Sequence, residues 1–389
     1  MAGSQPICDL CGAGRFDPLI DLPRRSSLRS DGTIVNRPLI KMACRACGLV
    51  RSGTVADEAS VDAEYRDDYG TSREEHVFYT SRGPASRSAA IAGWMSDHVP
   101  ADVWRTTGTG LEIGAGAGLL IRELQRRHPQ KAFIGVEPNA RAAADGRQAG
   151  ADIRPALQDV QADIAWAIAV IEHVASPTAF LNAIRRVVQD GAYLVLVQPT
   201  ADVLSYDVLF VDHLHHFSGA HVRAYGAKTG FDETSSAIGH PLMPNFSIHV
   251  LRAGSPLPAW SWQGPPASSH AHTAAVRTIA AMTRLDETLA RLVGAGRRVA
   301  AFGVREVYSL ARAYSGIDTC PLVCGLDDDP QRLAGRGLPF PIVRPEEAHT
   351  FGVTDVVLTM NAVHYGVARR RCESLGLSCH AVLDEASAS

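Results

Sequence analysis

Short apolar runs and helical-period segments alternate through the middle of the chain. The runs at 110–113, 132–136, 164–170 and 193–197 are rich in Val, Ile, Leu and Ala and are closed off by glycines, prolines or polar clusters, which predicts buried strands. Two later runs, near Phe231 and at 246–251, predict an antiparallel end to the same sheet. Residues 86–98 have a helical pattern, and Leu119, Leu120 and Leu124 give an apolar face to the segment after the first strand. Alternation of this kind predicts a doubly wound α/β domain. The stretch 252–269, rich in Pro, Ser and Gly with two tryptophans, breaks both periodicities and reads as a linker. Beyond it, Val276, Ile279, Met282, Leu285, Leu289 and Leu292 recur at helical intervals, and the runs at 298–303, 322–329 and 355–360 begin a second strand-turn-helix series. Three parts are predicted: a small module at 1–62, the α/β domain at 63–255, and a second, smaller α/β unit at 270–389.

Composition agrees with a multi-domain chain. Its 389 residues exceed one ordinary domain, and 46% hydrophobic residues supply real cores. Lys and Arg number 38 against 41 Asp and Glu, a net charge of −3 with no long run of either sign, so nucleic acid is not the expected partner. No stretch approaches the length of a membrane span, and the start Met-Ala-Gly-Ser-Gln-Pro has neither a basic region nor an apolar core. A small-molecule partner and a cytoplasmic location are expected; the sequence is silent on oligomeric state.

The eight cysteines fall into two unlike groups. Cys8-Asp-Leu-Cys11-Gly12 and Cys44-Arg-Ala-Cys47-Gly48 are two C-x-x-C-G turns, whereas Cys320, Cys324, Cys372 and Cys379 are scattered. In a reducing compartment the duplicated turns read as a metal site. Four thiolates make a closed tetrahedral zinc site, structural because no position is left for water or substrate. Each following glycine can take the left-handed conformation that such a turn requires. A module this small buries little apolar surface, so the zinc is expected to supply much of its folding free energy.

Leu111 to Gly118 reads Leu-Glu-Ile-Gly-Ala-Gly-Ala-Gly, and a second acid, Glu137, followed by Pro138, ends the next apolar run. Glycines at 114, 116 and 118 permit a tight turn with close backbone approach to a ligand. A carboxylate at the end of the second strand can accept both hydroxyls of a ribose. Glu112, just ahead of the turn, would repel a pyrophosphate but suits an ammonium group. The pattern resembles the first motif of class I S-adenosylmethionine (SAM) methyltransferases, and Glu137 resembles their ribose-binding acid. That resemblance implies SAM as the cofactor, with Leu157 and Ala169 expected to touch it. It implies the same for His173, in the turn Ile171-Glu-His-Val174, and for Tyr69, in the aromatic and acidic segment 64–70.

Chemistry is expected from Val211-Asp-His-Leu-His-His-Phe-Ser218, which follows the fourth predicted strand. Histidine exchanges protons near neutral pH and an adjacent carboxylate can orient it. The spacing H-x-H-H does not match the i, i+4 ligand pair of zinc hydrolases, and at least one of these imidazoles is expected to cap a helix or pack under the sheet. The order of parts and these motifs resemble the nucleotide-deoxysugar C-3 methyltransferases of antibiotic pathways. That family implies a class I SAM methyltransferase domain flanked by an N-terminal zinc module and a C-terminal Rossmann-like, substrate-binding domain. It implies a nucleotide-linked keto-deoxysugar as substrate, His213 as general base and Asp212 as its partner; His216 or Tyr69 is then the expected donor to an enolate oxygen. The chain departs from the family at Phe210 (Tyr), Asp212 (Glu) and Ala169 (Asn). Two other readings stand beside this one: O- or N-methylation of another small molecule, and a non-catalytic scaffold that binds a sugar nucleotide.

Overall fold

A computed structural model of the chain describes residues 7–22, 26–54, 58–68, 75–80, 83–157, 160–255, 260–333 and 337–383. The chain divides into two compact units, one of Met1–Asp21, Ile40–Val203 and Asp212–Ala271, the other of Leu22–Leu39, Leu204–Val211 and His272–Ser389.

A seven-stranded sheet organises the first unit, in the order Asp152–Arg154, Ala132–Val136, Thr109–Ile113, Ala162–Ile168, Val188–Pro199, Met243–Ala253, Phe231–His240. The first five strands are mutually parallel, and Met243–Ala253 runs antiparallel to both of its neighbours. This is the doubly wound sheet that the alternating pattern predicted, in the class I methyltransferase order that the motif resemblance implied. Side chains alternate between two cores. Leu111, Ile113, Ile134, Val136, Ala165, Leu194 and Leu196 fill one. Phe133, Ile164, Trp166, Val195, Val197, Ile248 and Val250 fill the other, under the helices Arg87–His98 and Leu119–Arg127. Burial on both faces explains why these strands read as continuous apolar runs. Helix Arg87–His98 starts where Ser86 accepts a hydrogen bond from the Ala89 amide, which satisfies one of the helix's orphan donors.

Three short strands, Phe16–Asp21, Ile40–Cys44 and Val50–Ser52, form an antiparallel sheet around the cysteine turns. A fourth strand joins it from far along the chain: His215 pairs with Arg51 and His216 with Val50. The stretch expected as a linker is not one. Its first residues end the strand Met243–Ala253, Trp260 and Trp262 pack against the core, and the Ala267 amide donates to the Cys47 carbonyl at 3.0 Å. Two indoles contribute enough apolar area to tie down a polar segment.

The second unit holds a five-stranded parallel sheet, ordered Ile342–Val343, Gly325–Leu326, Val299–Phe302, Asp355–Leu358, Ser378–Ala381. With the helices Glu306–Tyr314 and Tyr365–Ser374 it makes the Rossmann-like unit that the second strand-turn-helix series predicted. The hairpin Ser26–Leu28/Ile34–Asn36 and the turn Tyr206–Leu209 belong to it, held by Tyr314, whose hydroxyl donates to the Leu209 carbonyl at 2.6 Å and accepts from the Leu28 amide. Among the described residues, no helix is long and apolar enough to cross a membrane.

Candidate active site

The sheet order reverses between Thr109–Ile113 and Ala162–Ile168, and in such sheets the crevice for a ligand opens at the carboxyl ends of the strands on either side of the reversal. The glycine turn lies there. Gly114, Gly116 and Gly118 all have positive φ, at 72°, 53° and 67°, a region that costs other L-residues energy. A side chain is excluded at two of them by the protein itself. A Cβ on Gly114 would lie 2.6 Å from Val170 Cγ2, and one on Gly118 2.8 Å from the Ala151 methyl. The turn and the second acid are one assembly: the Gly116 amide donates to Glu137 Oε2 at 2.8 Å and the Asn139 amide to Oε1 at 2.8 Å. Each oxygen keeps a second lone-pair direction for a hydroxyl.

Glu112 is 4% exposed, and its Oε2 meets no hydrogen-bond partner among the described residues. Burial pushes its pKa up to about 8, the Trp166 indole and the Arg87 charge only partly opposing this. A carboxylate orphaned so close to the turn fits a cationic ligand group, so the residues present suit SAM. Ala169 is the one non-glycine residue with positive φ among those described, at 54°. It sits just beyond the end of strand Ala162–Ile168, its amide donating to the Val197 carbonyl at 2.7 Å. Left-handed alanine costs about 1 kcal/mol, and such strain gathers where a ligand dictates the backbone.

Four imidazoles and two acids lie beyond the same strand ends. His173, Asp212, His213, His215 and His216 are each less than a tenth exposed, and Glu172 is 1% exposed. The rings of His173 and His213 meet edge to face at 4.7 Å, and those of His213 and His216 lie 6.0 Å apart. His173 Nδ1 is 3.1 Å from the Asp212 carbonyl oxygen and 3.7 Å from its Oδ2, and it also contacts the Tyr65 hydroxyl. The Tyr65 hydroxyl can donate to Nδ1 in one tautomer, and Nδ1 can donate to the Asp212 carbonyl in the other. Burial, with the neighbouring His213 adding to it, lowers the His173 pKa to about 4, so the ring is neutral at pH 7. His215 falls to about 3, first by burial and then by Arg51.

Glu172, His173 and His213 also present ligand atoms within 4.8 Å of one another. His173 Nε2 and Glu172 Oε1 are 4.0 Å apart, close to the limit of about 4.2 Å that two metal bonds can span. Only a nearly linear N–metal–O angle would span that distance, which a tetrahedral site does not offer.

The cysteine turns come together as expected. Cys8 and Cys47 Sγ are 3.6 Å apart, as are Cys11 and Cys44 Sγ, and all four sulfurs lie within 4.8 Å of one another. A tetrahedron with 2.3 Å zinc–sulfur bonds has edges of about 3.8 Å, so the set fits zinc. Gly12 and Gly48 have φ of 75° and 81°, and their amides donate to the Cys8 and Cys44 carbonyls. The Cys47 hydrogen bond lowers Cys8 to about 5, the reverse of the same contact pushes Cys47 up, and burial raises Cys11 to about 11.

Sequence reasoning missed how the module is held. Asp9, inside the first turn, accepts from Ser176 Oγ and Thr178 Oγ1 at 2.7 Å and from the Thr178 amide at 3.0 Å, capping helix Pro177–Val187. His221, in helix Gly219–Thr229, donates from Nε2 to the Cys47 carbonyl at 2.9 Å while Nδ1 accepts from the Ser218 amide. Of the other expected site residues, Pro138 is exposed beside Glu137, Leu157 is partly buried against the core, and Tyr69 lies outside the described residues. Tyr65 and Asn139 were not anticipated. The Asn139 side chain caps helix Ala140–Gln148 and donates to the Tyr65 and Arg66 carbonyls at 3.2 Å, which joins the segment carrying Tyr65 to the Glu137 loop. An Asn right after Glu137-Pro138 was the available signal.

Residues 95–236 match a family model described as a methyltransferase domain. No curated protein sequence matches the chain. Among solved structures, the mitomycin 7-O-methyltransferase MmcR is 17% identical over 43% of this chain and 54% of its own, with a TM-score of 0.37. A SAM-dependent methyltransferase of Thermotoga maritima, titled a possible histamine N-methyltransferase, is 19% identical over 42% of this chain and 90% of its own, TM-score 0.33. An O-methyltransferase from a trans-AT polyketide synthase of Brevibacillus brevis, in complex with S-adenosyl-L-homocysteine, is 11% identical over 43% and 71%, TM-score 0.35. The chain thus spans about half the length of the mitomycin enzyme. Residues 95–236 are thus similar to a methyltransferase domain, and the strand order is that of the class I methyltransferase fold.

Proposed function

We propose that the chain methylates a carbon next to the ketone of a nucleotide-linked keto-deoxysugar, with His213 as general base. The observation that supports this reading is the buried His173–Asp212–His213 group just beyond the strand ends that carry the glycine turn. Burial lowers the pKa of His173 to about 4, so the ring that meets His213 edge to face is neutral at pH 7.

In this reading Glu112 pairs with the ammonium group of SAM and Glu137 accepts its ribose hydroxyls, while Gly114, Gly116, Gly118, Leu157 and Ala169 line it. SAM, when bound, supplies an electrophilic methyl group to the carbanion. His213 removes the proton from the carbon beside the ketone, and Asp212 orients it. The enolate oxygen needs a donor, which His216 or the Tyr65 hydroxyl supplies; Tyr69 belongs to the same stretch of chain. Burial of these side chains keeps water from returning the proton early. Cys8, Cys11, Cys44 and Cys47 would hold a structural zinc with no role in the chemistry.

The test is turnover of a nucleoside-diphosphate-linked 4-keto-2,6-dideoxyhexose by the wild type and by His213→Gln. The substitution is expected to cut kcat by about a thousandfold while S-adenosylhomocysteine binds as before. Full turnover by the variant overturns the base, and methyl transferred to oxygen overturns the carbon acceptor.

A further inference from the structure

We propose that Lys41 of the cysteine module is a positioning residue for the His213 base, so that the module serves the active site and not only its own fold. The inference rests on the preceding assignment of His213.

Lys41 lies on strand Ile40–Cys44 and is 0% exposed. Taking an ammonium out of water costs several kcal/mol unless it is well used, and an apolar side chain would fill this strand position without that cost. Its Nζ donates to the His213 carbonyl oxygen. The next carbonyl, of Leu214, accepts from the Ser52 amide at 2.8 Å, and the two residues after that pair with Arg51 and Val50. From the opposite side the Glu172 carbonyl accepts the His215 amide at 3.1 Å. Residues 213–216 are therefore held between the module and the turn that carries His173. Along this run the backbone is fixed by backbone pairing except at His213, where a side chain makes the bond. The lysine charge also disfavours protonation of His173 and His215. A misplacement of about 1 Å in a catalytic group can cost about a hundredfold in rate, so one anchored carbonyl is enough to matter.

Lys41→Met, Lys41→Arg and His213→Gln are compared with the wild type for zinc content, S-adenosylhomocysteine affinity, kcat and KM on the same keto-sugar nucleotide, and long-range 1H–15N spectra of the imidazoles. Lys41→Met is expected to keep its zinc and its cofactor affinity, to lose about tenfold or more in kcat with KM little changed, and to shift the His213 ring resonances. Lys41→Arg, which keeps a cationic donor, is expected to restore both. The proposal is overturned by Lys41→Met with wild-type kcat and unshifted His213 resonances. It is equally overturned if zinc, cofactor affinity and activity fall together and arginine rescues none of them, because that pattern is a folding defect. His213→Gln is read separately: wild-type turnover there sinks the base assignment whatever Lys41 does. If the probe is not turned over by any form, the ring resonances decide.

Discussion

Glu112 shows how one buried atom can report the ligand. With its pKa near 8, the carboxyl is mostly protonated at pH 7 in the free protein. An ammonium placed against it favours the charged form, so binding S-adenosylhomocysteine should release about one proton per site at pH 7. Calorimetry in buffers of different ionisation enthalpy measures this; Glu112→Gln should bind without the release, and an unchanged release would detach Glu112 from the ammonium. The buried imidazoles make a second expectation, on stability. A histidine whose pKa falls on folding is protonated first in the unfolded chain, so its contribution is intact above about pH 6.5 and is lost as pH falls towards about 4 for His173 and about 3 for His215. Each group costs up to about 1.4 kcal/mol per pH unit inside that window. Urea midpoints should fall from pH 7 to pH 5, and His215→Gln should flatten the slope. The raised pKa of Glu112 acts in the opposite direction over the same range, so the two proteins are compared, and equal slopes would mean the His215 ring is not buried neutral.

Elements differ in how much of them could be read from residues alone. Strand Ala132–Val136 was legible to its ends because an apolar run stops at charged neighbours, whereas Asp152–Arg154 was not, having one apolar residue, Ile153, among polar ones. The glycine turn, the Glu137 acid and the four cysteines were legible because their chemistry depends on local spacing. The two-residue strand His215–His216 was not, since its partner lies far back in the cysteine module, and long-range pairing leaves no local pattern. Tyr65 and Lys41 were hidden for the same reason: each meets its histidine across more than a hundred residues of sequence. This pairing makes an expectation for the metal. One zinc per chain should be found by elemental analysis. Stripping it with a strong chelator should raise hydrogen exchange in Phe16–Asp21, Ile40–Cys44 and Val50–Ser52, and in His215–His216 with them. Unchanged exchange at 215–216 would uncouple that strand from the metal.

At the scale of the molecule, the glycine turn lies where the order of the first unit's sheet reverses, and a cysteine module tied to that unit through Asp9, His221 and Lys41 pairs with the segment that carries the proposed base. The central claim is that His213 removes a proton from carbon. It is tested most directly by incubating a nucleotide-linked 4-keto-deoxysugar with the protein and S-adenosylhomocysteine in deuterium oxide, where no methyl can be transferred, and following the carbon-bound hydrogen beside the ketone by NMR. The account predicts enzyme-dependent exchange that His213→Gln abolishes. Exchange that survives the substitution, or no exchange by a wild type that methylates the same sugar on oxygen, would contradict it.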